Sequence, residues 1–143
     1  MSFDPALLDL VAAGNLGALA TIKWDGHPQL SNINYEYDAD AARIRISVTD
    51  GRAKVHNARR DARASLYVSS EDGWAYTVVE GDVTLSDVAA EPHDAAVEEL
   101  VELYRNVRGE DHPDWDEYRA AMVADRRLVA RLAITHVYGV PRG

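Results

Sequence analysis

Residues 42–49 read ARIRISVT, and this strict alternation constrains the fold more than any other stretch. Ile44, Ile46 and Val48 fall on one side, and Arg43, Arg45, Ser47 and Thr49 on the other. That is the period of a strand with one buried face. Such a strand needs partners, and the flanking sequence supplies them. LGALATIKW (16–24) and HPQLSNINYEYD (27–38) are extended runs on either side of Asp25-Gly26, a strong hairpin signal. Leu16, Ala18, Ala20, Ile22 and Trp24 share one face of the first run. Gln29, Ser31, Ile33, Tyr35 and Tyr37 share one face of the second, which starts polar and ends aromatic. ARASLYVSS (62–70) reads as a strand with Ala64, Leu66 and Val68 inward. WAYTVVEGDVTLS (74–86) reads as a long strand whose phase changes at Glu80-Gly81, where glycine suits a bulge. LVARLAITHVYGV (128–140) closes the series. Six strands in largely hairpin succession predict a closed or nearly closed antiparallel barrel.

Helices surround these strands. DPALLDLVAAG (4–14) has Asp4 as a cap, Pro5 at the first helical position and Gly14 at its end. Residues 52–61 have the length and composition of a short helix. Residues 91–108 place Val97, Leu100, Val101 and Tyr104 at helical spacing among glutamates, and 114–126 form a further helix. No repeat or linker interrupts the 143 residues, so one α+β domain spans 1–143.

Charge narrows the partners. The formal net charge is -9 and the pI about 4.9, which argue against nucleic acid and against an anionic membrane surface. Cysteine is absent, which removes thiolate metal sites and thiol nucleophiles. His27, His56, His93, His112 and His136 lack metal-ligand spacing, and His136 reads as structural among apolar neighbours. No apolar run approaches the ~20 residues of a membrane span. The acidic N-terminus lacks the basic segment of a signal peptide, so a cytoplasmic location is expected.

Against this background TDGRAKVHNARRDARA (49–64) stands out. Seven of the fifteen Lys and Arg residues fall between Arg43 and Arg63. A helix starting near Arg52 would turn free N–H groups and a partial positive charge outward, with Arg52 and Lys54 beside them. That combination suits a phosphate, and Arg60 and Arg63 could extend it along an anionic tail. The competing expectation is that these cations pair with Asp50, Asp61 and the acidic helices. PQLSN (28–32) offers Gln29, Ser31 and Asn32 to the edges of a heterocycle, with Ser47 and Thr49 of similar polarity nearby. GWAYT (73–77) presents Trp74 and Tyr76, which could cover a planar ring or fill the core.

Taken in order, ATIKWDGHPQLSNINYEYD, RISVTDGRAKVHNARRDARASLYV, DGWAYTVVEGDVTL and HVYGVP resemble the pyridoxamine 5′-phosphate oxidase-like split-barrel superfamily. With ELYRNVRGEDHPDWDEYRAAMVADRR, they are similar to its flavin/deazaflavin oxidoreductase branch B, coenzyme F420-dependent proteins chiefly of actinobacteria. The resemblance implies a six-stranded FMN-binding-type split barrel and a homodimer with cofactor sites at its interface. It implies that Arg52, Ala53 and Lys54 grip the cofactor phosphate, with Asn57 one turn on. Gln29, Ser31 and Asn32 would lie near the ring, Ser47 and Thr49 along the ribityl chain and phosphate, and Trp74 and Tyr76 would come from the partner protomer. His56 stands where the resemblance calls for a further basic residue. The implied activity is an F420-dependent oxidoreductase acting on an electron-poor small molecule, with no catalytic side chain nominated. Three other readings stay open: a non-catalytic F420-binding carrier, an FMN enzyme of the pyridoxamine phosphate oxidase type, and a barrel whose basic patch is only structural.

Overall fold

A computed structural model describes residues 3–142. Its elements run α1 (Pro5–Ala12), β1 (Leu16–Ile22), β2 (Pro28–Asn34), β3 (Glu36–Asp38), β4 (Arg43–Thr49), α2 (Ala53–Arg60), β5 (Arg63–Ser69), β6 (Tyr76–Leu85), α3 (Ala95–Arg108), α4 (Trp115–Ala124) and β7 (Arg127–Val140). Local chemistry sets the helix starts. Asp4, Asp94 and Asp114 each accept a first-turn N–H, from Ala6, Val97 and Glu117 at 2.9–3.1 Å. The expected Asp25-Gly26 hairpin forms, with the Lys23 N–H donating to the His27 carbonyl at 2.8 Å.

The strands form one antiparallel sheet in the order β2-β1-β5-β6-β7-β4-β3. It has seven strands where six were expected, because the run 28–38 is two strands. Tyr35 divides them. Its N–H donates to the Asn15 carbonyl at 2.8 Å and its hydroxyl to the Val11 carbonyl, so the side chain is buried against α1. Up to Asn34 the chain pairs with β1; from Glu36 it pairs with β4. The two edge strands are thus joined by one residue, which requires the sheet to curl until its edges approach. Among the described residues the result is an α+β half-barrel with four helices.

The core fills the concave side. Leu19, Ile33, Ile44, Ile46, Val48, Leu66, Val68, Val79, Leu128 and Leu132 meet there under α1 and α2. On β1 it is Gly17, Leu19 and Thr21 that point inward, so the apolar set Leu16, Ala18, Ala20 and Ile22 lies on the outer wall. The bulge at Glu80/Gly81 forms as expected. A Cβ on Gly81 would lie 1.8 Å from the Ala133 carbonyl oxygen, so only glycine allows β6 to approach β7 there. His136 is exposed on the outer wall rather than buried, 5.9 Å from Tyr138 between ring centres.

A second core joins α3 and α4 to the outer face of β7 through Val97, Leu100, Val101, Tyr118, Met122 and Val129. Beside it, Arg45 of β4 is 3 % exposed and bonds Glu36 through two contacts of 2.6 Å and Glu102 through another. Arg131 bonds Glu99 at 2.9 Å. Part of the acidic charge on α3 therefore faces the sheet as ion pairs and not solvent. Among the described residues no helix is long and apolar enough to cross a membrane.

Candidate functional site

Gly51, with φ of 90°, turns the chain from β4 into α2 at a conformation that glycine adopts without strain. Asp50 fixes that turn from both sides. Its carboxylate bonds Arg59 at 2.8 Å and Arg126 at 2.7 Å, and its N–H donates to the Arg126 carbonyl. These two arginines hold the Asp50 carboxyl down at about 2. Arg52 is the N-cap of α2 and places no side-chain hydrogen bond over the first turn, so its N–H groups face outward. Arg52 and Ala53 are exposed there, with Thr49 partly buried just before.

Behind this entrance a hydrogen-bonded network ties α2 to the hairpin. Lys54 Nζ lies 3.3 Å from Ser31 Oγ. Asn57 is buried; its Nδ2 donates to Thr21 Oγ1 at 3.1 Å and Gln29 Oε1 at 2.9 Å. Its Oδ1 accepts from Arg60 Nη2 at 3.0 Å, and the same Arg60 nitrogen donates to the Ile22 carbonyl at 2.8 Å. Gln29 is engaged through Oε1, which leaves its Nε2 hydrogens for another acceptor. Gln29, Ser31, Lys54, Asn57 and Arg60 therefore form one constellation at one end of the half-barrel, with Thr21 as an added member.

The opposing expectations about the basic stretch divide residue by residue. Arg43, Arg45, Arg59 and Arg63 pair with Asp38, Glu36, Asp50 and Asp61 respectively. Arg63 is thereby clipped to its neighbour rather than extended along a tail. Among the described residues, Arg52, Lys54 and Arg60 make no salt bridge, and they are three of the four cations expected to hold an anion. Half-burial, then the charges of Arg52 and Arg127, push Lys54 below the ordinary ammonium value. Arg52 and Lys54, like charges with no salt-bridge partner among the described residues at an uncapped helix N-terminus, fit an anionic group such as a cofactor phosphate, while Arg60 stands at the other end of α2.

The other expected residues stand apart. Asn32 points to the outer wall of β2, opposite in parity to Gln29 and Ser31. Ser47 lies on the outer face of β4, paired with Val129, and Thr49 pairs with Arg127. Trp74 is 84 % exposed in the turn before β6, outside the strand expected to hold it, and its N–H donates to Asp72. Tyr76 stacks on Tyr67 at 5.5 Å. By strand register both belong to the far end of the sheet, where β1 begins, so one protomer does not bring them to Lys54. Arg127 was not singled out in the sequence, since it falls between the helix 114–126 and the strand 128–140 expected there.

The space under α2, between Leu19, Ile46, Val48 and Lys54, is only about 10 Å³, so a ring cannot enter the half-barrel. An open groove of about 480 Å³ runs instead along the outer wall beside Ile22, lined by Ala20, Pro28, Arg63, Ser65 and Glu80. A larger cleft of about 630 Å³ lies elsewhere, between α1, β3 and α3. Glu36, Asp38, Asp40 and Glu102 line it, the wrong charge for a phosphate.

Residues 3–141 match the family described as pyridoxamine 5′-phosphate oxidase. Among solved structures, a conserved hypothetical protein of Mycobacterium tuberculosis, Rv2991, is similar at a TM-score of 0.75 and 20% identity, over 99% of this chain and 86% of that one. An F420 reductase is similar at a TM-score of 0.61 and 22% identity, over 87% of this chain and 89% of that one. A FAD-binding protein of Mesorhizobium loti is similar at 0.65 and 18%, over 99% and 96%. At these identities the likenesses to solved structures are likenesses of fold.

Proposed function

The chain belongs to the pyridoxamine 5′-phosphate oxidase family, and we propose that within it this protein is an oxidoreductase using the deazaflavin coenzyme F420. The observation that carries the reading is the set Arg52, Lys54 and Arg60, without carboxylate partners while their neighbours in sequence are paired. Likeness in fold to an F420 reductase supports the choice of cofactor. The deazaflavin, when bound, supplies hydride chemistry at one ring carbon.

The chain's residues supply binding and orientation. Arg52, Lys54 and the first-turn N–H groups of α2 hold the phosphate, with Ala53 close enough to pack against it. Arg60 extends this grip toward the hairpin. Asn57, fixed by Thr21 and Arg60, holds Gln29 so that its Nε2 hydrogens meet a carbonyl of the ring edge. Ser31, while accepting from Lys54, can still donate its own hydroxyl hydrogen. Because the interior is packed, the ring is read as lying at the open end of the half-barrel beside the hairpin; Asn32 faces outward on β2, whereas Ser47 and Thr49 face the helical side of β4.

The outer wall exposes Leu16, Leu30, Tyr67, Tyr138 and Val140, an apolar set that suits a second copy of the chain. In such a homodimer Trp74 and Tyr76 of one protomer would cover the ring held by the other. The partner in the reaction is an electron-poor small molecule that accepts hydride, with solvent as a sufficient proton source.

A second reading places FMN at the same residues. The family description and the likeness to a FAD-binding protein support it. Incubating the protein with reduced F420 and a panel of activated alkenes, quinones and nitroaromatics tests the enzyme against a carrier. Reoxidation that depends on both acceptor and protein supports the oxidoreductase. Tight binding without reoxidation by any acceptor would leave a carrier.

A further inference from the structure

Arg127 opens β7 directly opposite Thr49 of β4. The Thr49 carbonyl accepts the Arg52 N–H at 3.2 Å, so strand pairing brings Arg127 to the threshold of α2. Its neighbours of like charge are all engaged: Arg126 with Asp50, Arg131 with Glu99. Arg127 makes no ion pair among the described residues. Its Nε is buried and has no hydrogen-bond partner. Among the described residues one other side-chain atom shares that condition, Arg43 Nε, but the Arg43 guanidinium has the Asp38 carboxylate at 3.8 Å. A buried guanidinium N–H without an acceptor is costly, and native structures seldom leave one without a reason. The charge of Arg127 reaches Lys54 on one side and Tyr118 of α4 on the other. Strand register thus puts Arg127 beside the α2 entrance, within electrostatic reach of Lys54.

We propose that Arg127 is a third cation of the anion site, with Arg52 and Lys54, and that the site is built for a phosphate ester bringing at least two negative charges. The proposal rests on the reading that a phosphate-bearing cofactor binds at α2. Three cations without a carboxylate repel one another. A single negative charge leaves that repulsion largely in place, while two adjacent charges offset it. A terminal phosphate monoester meets this need, and so does a phosphodiester followed closely by carboxylates. Arg127 approaches from the β7 side, so the ligand is gripped across the β4–β7 ladder as well as from α2.

Calorimetric titration of wild type, Arg127→Gln and Arg127→Lys tests this with FMN, riboflavin, F420 and inorganic pyrophosphate. The expected result for Arg127→Gln is at least tenfold weaker binding of pyrophosphate and of whichever phosphorylated cofactor binds. Riboflavin should bind both proteins alike, and Arg127→Lys should recover most of the loss. FMN and F420 distinguish the monoester from the diester with carboxylates. Equal affinity of wild type and Arg127→Gln for both pyrophosphate and the bound cofactor would overturn the proposal. Pyrophosphate binding that depends on Arg127, with no cofactor bound by wild type, would keep the anion site and remove the cofactor reading. Binding of neither removes both. The dianion requirement is read on wild type alone, with methyl phosphate and methyl sulfate at pH 8: a tenfold preference for the phosphate is expected, and equal affinity contradicts it.

Discussion

Lys54 Nζ lies 3.3 Å from Ser31 Oγ, joining helix α2 to strand β2 across the end of the half-barrel. The ammonium meets a hydroxyl there and no carboxylate. It is also held below its ordinary pKa by half-burial and by Arg52 and Arg127. A chain that folds around such a group retains a cation that destabilises its ligand-free form.

Replacing that cation should separate binding from stability. Lys54→Met removes a charged hydrogen bond to the phosphate, typically worth about 1.5–3 kcal/mol, or on the order of 10–100-fold in cofactor affinity. The ligand-free variant should melt no lower than wild type, because the like-charge repulsion goes with the ammonium. Cofactor titration and thermal denaturation of the same sample check both halves. Undiminished affinity would remove Lys54 from the site.

Acid should loosen the α2 entrance before it unfolds the core. Asp50 and Asp61 are held at about 2, below the unfolded carboxylate value of 3.8. Hydrogen bonds from Arg126 and Arg59 hold the first, and Arg63 holds the second. A depressed carboxyl contributes stability that is present above the unfolded value and lost as pH falls through the folded one. Stability should therefore decline between about pH 4 and pH 2, and Asp50→Asn should flatten part of that decline. Urea denaturation of wild type and variant across this range measures the difference; identical slopes would show that Asp50 contributes nothing.

Arg45 presents a different risk. It is almost fully buried against Glu36, with Glu102 and Glu99 beyond. Arg45→Met leaves Glu36 buried without its cation, a change expected to cost about 3–5 kcal/mol. Chemical denaturation should show this loss. Cofactor affinity of the remaining folded protein should stay near wild type, since Arg45 is engaged by Glu36 and α3 and not by the α2 entrance.

The outer wall should be an interface. Leu30→Glu and Tyr67→Asp place charge among exposed apolar residues of β2 and β5. Sedimentation velocity is expected to show a dimer for wild type and a monomer for either variant, with cofactor binding weakened alongside. A monomeric wild type would leave Trp74 and Tyr76 without a route to the site.

The alternation of residues 42–49 and of 62–70 was legible because each strand has one neighbour-filled face and one polar face. The second strand was misjudged at Tyr35 because its alternation continues through Tyr37 while its partner changes. Periodicity reports which face is buried and is silent about which strand does the burying. The basic residues of α2 were legible as a cluster of charge. Which members are free was not, since Arg59 and Arg63 differ from Arg52 and Arg60 only in where the fold puts Asp50 and Asp61. Arg127 was invisible for the same reason: only the β4–β7 ladder makes it a neighbour of Thr49.

The most direct measurement is a titration of the purified protein with oxidised F420, and separately with FMN, followed by tryptophan fluorescence and checked with Arg52→Ala. Micromolar or tighter binding of F420 with weak binding of FMN, lost in Arg52→Ala, is the expected result. Preference for FMN would move the chemistry to a flavin, and binding of neither would contradict the cofactor site at α2 altogether.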